Sequence, residues 1–177
     1  MTEKKNILAI IGSASSHSTN LKIVQEISNL TSEEFKLTIF NSLKTLPHFD
    51  PKLSAENPPE EIVVFRRNIE EADGIIICTP EYVFSIPSGL KNAIEWCVAT
   101  TIFSNKPTGL ITASASGQKG HEELQLIMRT LMAHFKNETC LLIQGIKGKC
   151  NEDGQITDTK TKQDLKKFIT EFKQILN

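Results

Sequence analysis

Five short apolar runs, each parted from the next by an amphipathic stretch, restrict this chain more than any other property. Residues 7–11 (Ile-Leu-Ala-Ile-Ile) and 74–78 (Gly-Ile-Ile-Ile-Cys) show no polar alternation, so each must be a strand covered on both faces. Residues 35–40 alternate apolar with polar side chains and read as a half-exposed edge strand. Residues 108–113 and 139–143 supply a fourth and a fifth strand. Helical spacing runs over 19–30, 60–71, 87–99, 122–135 and 160–176, with Ser18 a candidate N-cap for the first of these. Residues 43–59 carry four prolines and no period, and are expected to be a long connection. Strands alternating with helices imply a parallel sheet. Five of each suit a doubly wound sheet of order 2-1-3-4-5 with helices on both faces. At 177 residues, one domain over 1–177 is expected.

Net charge is −1, which gives no electrostatic case for nucleic acid or an anionic membrane. The apolar runs are too short to span a bilayer, and the N-terminus leads straight into a strand, so a cytoplasmic location is expected. Cys78, Cys97, Cys140 and Cys150 form no CxxC pair and no zinc-type cluster, so no metal site is expected. No positioned base accompanies any of the four, and a catalytic thiol is not expected.

In this strand order the reversal falls between the first and third strands, and the loops leaving them open on one crevice. Residues 12–20 carry the hydroxyls of Ser13, Ser15, Ser16, Ser18 and Thr19 and the Asn20 amide, just where a helix begins. Free N–H groups and the helix dipole there favour an anion. Neither a Gly-Lys-Ser/Thr ending nor a GxGxxG pattern is present, which suits a monophosphate ester. Plain helix capping is the alternative. His17 is either a further partner for the anion or a solvated loop residue. The loop after the third strand holds Pro80, Glu81, Tyr82 and Val83 and enters a helix near Pro87. Proline at both ends makes it stiff. Small residues at Ser114, Ala115, Ser116, Gly117 and Gly120 let the backbone after the fourth strand approach a flat ligand closely.

Residues 79–96 resemble the flavin-ring loop of the NAD(P)H-dependent FMN reductases, a flavodoxin-like family that includes quinone, azo and chromate reductases. The family's phosphate loop is similar to Gly-Ser-x-Arg-x-x-Ser-x-Asn, and Gly12, Ser13, Ser18 and Asn20 match it. Ser15 stands where arginine is usual, so a fixed positive charge is missing and weaker FMN binding is expected. Val83 stands where asparagine is common. In the third loop Gly117 and Gly120 match a Ser-Pro-Gly-x-x-Gly pattern, while Ala115 and Ser116 depart from it. The resemblance implies FMN held by Ser13, Ser15, Ser18, Thr19 and Asn20 at its phosphate. At its ring it implies Pro80, Glu81, Tyr82, Val83, Ser114, Ser116 and Gly117. It implies NADPH or NADH as hydride donor, a small acceptor (quinone, azo compound, flavin or metal oxyanion) and a homo-oligomer, dimer or tetramer. No catalytic side chain is expected, because the cofactor carries the chemistry. Lys119 is the one candidate in these loops for a nicotinamide 2′-phosphate. Glu81 is expected to support its loop rather than act as a base. A flavodoxin-type electron carrier and a non-enzymatic module of the same fold are the alternatives.

Overall fold

The computed structural model describes residues 3–13, 15 and 18–177. Its strands are β1 (Lys5–Ile11), β2 (Phe35–Phe40), β3 (Gly74–Thr79), β4 (Thr108–Ser114) and β5 (Cys140–Gln144). All pair in parallel in the order β2-β1-β3-β4-β5, the flavodoxin-like arrangement expected. The helices are α1 (Thr19–Leu30), α2 (Pro51–Glu56), α3 (Glu60–Glu71), α4 (Ser88–Glu95), α5 (Gln118–Thr130) and α6 (Thr159–Ile175).

The period of two in the strands builds two cores. Leu8, Ile10, Ile75 and Ile77 pack on one face with Ile62 and Phe65 of α3, Leu90 of α4 and Leu124 and Met128 of α5. Ile7, Ala9, Ile11, Ile76 and Cys78 pack on the other with Ile23 and Ile27 of α1 and Leu165 and Phe168 of α6. Leu90, Ile94 and Trp96 are buried in the first core. Trp96 also donates its indole N–H to the Pro47 carbonyl at 2.8 Å.

Three helix expectations need correction. Helix α4 ends at Glu95, four residues short of the expected 87–99. The connection at 43–59 contains α2, where Asp50 accepts from the N–H groups of Lys52 and Leu53 and Pro51 occupies the first turn. Proline there starts a helix instead of breaking one. Helix α5 begins and ends earlier than 122–135. It opens behind Gly117, whose φ of 85° is left-handed. It closes where Met132 turns left-handed and the Ala133 N–H returns to the Met128 carbonyl.

Candidate functional site

The strand ends set the floor of the crevice. Pairing of Ile11 with Cys78 places Gly12 beside Thr79, and the Gly12 N–H donates to the Cys78 carbonyl at 2.8 Å. A Cβ at Gly12 would lie 2.2 Å from Thr79 Oγ1, so the Thr79 side chain already fills the space that a side chain at position 12 would need.

From this floor rises a cleft of about 550 Å³, lined by Ser13, Ser15, Ser18, Thr19, Asn20, Pro80, Tyr82 and Ser114 of the expected set. Ala113, Ala115, Gly145, Ile146, Lys147 and Gly148 are the other described residues that line it. Glu81, Val83, Ser116 and Gly117, also expected there, do not line it. Ser16 and His17 lie outside the described residues. Sequence reasoning missed the segment after β5. Its signal was Gly145 and Gly148 bracketing Ile146-Lys147 immediately behind a strand. Gly145 is left-handed, and its N–H donates to the Ala115 carbonyl at 3.0 Å, which turns the chain into the cleft.

The first loop ends at α1. Ser18 occupies the N-cap position, yet its hydroxyl makes no capping bond. It is 5% exposed, and its Oγ is a buried polar atom without a hydrogen-bond partner among the described residues. Such an atom costs about 1–3 kcal/mol unless a ligand or water satisfies it. Asn20 is equally buried but committed to the scaffold. Its amide donates to the Ala113 carbonyl at 3.2 Å, and its Oδ1 accepts from the Cys78 thiol at 3.4 Å. Asn20 therefore ties the first loop to β3 and β4.

Two carboxylates fasten the loop after β3. Glu81 accepts from the Gly117 N–H at 3.1 Å and the Gly120 N–H at 2.8 Å, and so caps the start of α5. Glu123 on α5 accepts from the Ser85 hydroxyl at 2.6 Å and the Ile86 N–H at 2.8 Å. Glu81 thus acts as the loop support expected and is occupied by N–H groups, not by the cleft. Behind it, His121 is buried with Nδ1 2.9 Å from Thr112 Oγ1, and burial holds its imidazole below its ordinary value, in the neutral form.

Between these anchors Tyr82 and Ser85 exchange backbone hydrogen bonds across a two-residue tip. Val83 (φ 51°) and Phe84 (φ 59°) both adopt left-handed backbone there, the type I′ condition. A left-handed L-residue is disfavoured by about 1–2 kcal/mol, most severely when β-branched. Val83→Asn is expected to raise unfolding stability by about 1 kcal/mol in urea titrations, because asparagine tolerates this backbone. An unchanged or lower midpoint would mean the turn carries no strain.

None of the four thiols lines the cleft. Burial pushes Cys97 and Cys140 up to about 12 and Cys78 higher still. Among the described residues, no cluster of three or more His, Cys, Asp or Glu side chains could hold a metal. No described helix is long and apolar enough to cross a membrane.

The family described as NADPH-dependent FMN reductase matches residues 5–147. A quinone reductase of Escherichia coli is 27% identical, covering 99% of this chain and 97% of its own. An NAD(P)H-dependent FMN reductase of Pseudomonas aeruginosa is 28% identical over 92% of this chain and 90% of its own. Among solved structures, the flavoenzyme NAD(P)H:(acceptor) oxidoreductase of Paracoccus denitrificans superposes with a TM-score of 0.81 at 25% identity, covering 97% of each chain.

Proposed function

Because the chain belongs to the NADPH-dependent FMN reductase family, and is an FMN- and NAD(P)H-dependent oxidoreductase, we propose that its acceptor is a quinone. The quinone reductases among its relatives support this choice of acceptor. Three features of the cleft fit FMN: the idle, buried Ser18 hydroxyl at the start of α1, walls of small residues, and a volume in the range of cofactor sites. Held in this cleft, FMN would supply the two-electron chemistry, hydride acceptance from the reduced nicotinamide and reduction of the acceptor.

The protein's part is binding and orientation. Ser18, with Ser13, Ser15 and Thr19, faces the phosphate end. Pro80, Tyr82, Ser114 and Ala115 form the ring end, where residues 113–115 bring backbone close to a flat edge. Glu81 and Glu123 hold the ring loop without entering the cleft, so the loop is ordered before any ligand arrives. Tyr82, 45% exposed, borders the space where nicotinamide and acceptor would follow one another. The apolar tip of Val83 and Phe84, 94% and 74% exposed, suits contact with a second copy in a cytoplasmic homo-oligomer. Sedimentation at micromolar protein would report that assembly.

The observation that carries the reading is the convergence of four strand-end segments on one cleft, beside a buried hydroxyl with no partner among the described residues. Steady-state assays with FMN-loaded protein and NADPH or NADH should give a benzoquinone the highest kcat/KM in a panel with an azo dye, free FMN and chromate. A tenfold advantage for any of the other three would overturn the quinone assignment. Failure of NADPH or NADH to bleach the bound flavin anaerobically would instead favour a one-electron carrier.

A further inference from the structure

We propose that Lys147, in the turn after β5, supplies the cation that holds the phosphate of FMN. This rests on the flavin reading above. Lys147 is the one charged side chain among the described residues lining the cleft. A phosphate monoester carries nearly two negative charges at neutral pH, and hydroxyls and a helix terminus alone leave it without a formal counter-charge. The missing charge was expected at position 15, where this chain has serine.

The position of Lys147 along the cleft identifies which end of the ligand it serves. It also lines an adjoining groove, and the other residues shared by cleft and groove are Ser18 and Thr19, at the start of α1. None of Pro80, Tyr82 and Ser114, at the ring end, borders that groove. Lys147 therefore borders the end of the cleft that holds Ser18 and Thr19, not the ring end.

The lysine is available for this task. It is exposed, and no ion pair engages it among the described residues. Glu152 and Asp153 line the adjoining groove with Lys22 and Lys147, two carboxylates against two ammonium groups, while the cleft itself is lined by no carboxylate among the described residues. The backbone beneath Lys147 is fixed. Ile146 is buried at 4% exposure in the α1/α6 core, and Gly145 is hydrogen-bonded to Ala115. A long side chain on a fixed stem next to the helix start can reach an anion without reordering the turn.

Titration of the apoprotein, followed by flavin fluorescence, tests this with FMN and riboflavin as paired probes. Riboflavin has the same ring but no phosphate. Lys147→Met is expected to weaken FMN binding about tenfold, leave riboflavin binding within twofold, and flatten the salt dependence of FMN affinity. Lys147→Arg should keep most of the affinity. Circular dichroism should be unchanged in both variants, since the side chain is exposed. FMN binding by Lys147→Met within twofold of wild type would overturn the assignment, and so would an equal loss for both flavins. Wild-type protein that bound neither flavin would overturn the cofactor reading, and this assignment with it.

Discussion

Gly12→Ala is expected to destabilise the fold by about 3 kcal/mol and to cost most of the FMN affinity. The added methyl would lie 2.2 Å from Thr79 Oγ1, 2.5 Å from Thr79 Cβ and 3.0 Å from Leu90 Cδ2. Neither neighbour can retreat cheaply. Thr79 is fully buried at the end of β3, with its hydroxyl on the Pro80 carbonyl at 3.0 Å, and Leu90 is packed in the core. Relief would require β1 and β3 to separate at their ends, against the Gly12–Cys78 hydrogen bond. That separation would shift Ser13 on one side of the cleft and Pro80 on the other, so stability and binding should fall together. Urea unfolding and FMN titration measure the two. A variant within 0.5 kcal/mol of wild type, an ordinary surface-substitution effect, would mean that the strands do not meet this closely.

Glu81→Ala is expected to cost about 2 kcal/mol, less than the roughly 3–6 kcal/mol of two well-buried charge-assisted hydrogen bonds because the residue is partly exposed. The N–H groups of Gly117 and Gly120 would lose their acceptor at the start of α5, where the helix dipole already favours a carboxylate. The ring loop would keep only its Glu123 attachment, so FMN affinity should fall as well. Glu81→Gln retains one acceptor oxygen and should lie between the two. If thermal unfolding of Glu81→Ala coincided with wild type while FMN binding disappeared, Glu81 would be contacting the cofactor directly and its support role would be wrong.

The sheet was legible because uninterrupted runs such as residues 7–11 and 74–78 leave no alternative to strands covered on both faces. The bounds of α5 were not. Its cap comes from Glu81, distant in sequence, and its end depends on Met132 adopting a backbone that methionine rarely takes. Helix α2 was hidden by its prolines, although Asp50-Pro51 is a readable start signal. In the cleft, the loops after β1 and β3 were visible as hydroxyl-rich and proline-bounded segments. The turn bearing Lys147 was not, because β5 lies away from the strand reversal and only three-dimensional curvature brings its end to Ser18 and Thr19. Ser18 was found as a cap by position, but the sequence offered no sign that its hydroxyl would be idle.

The paired attachments of Glu81 and Glu123 also bear on protein engineering. Residues 80–86 and residues 117–123, which open α5, form one transplantable cassette, since each supplies the acceptors or donors that the other needs. A loop swap between sister reductases that moves the hairpin alone would leave backbone donors stranded at both seams. Chimeras intended to change acceptor preference should therefore exchange both pieces at once.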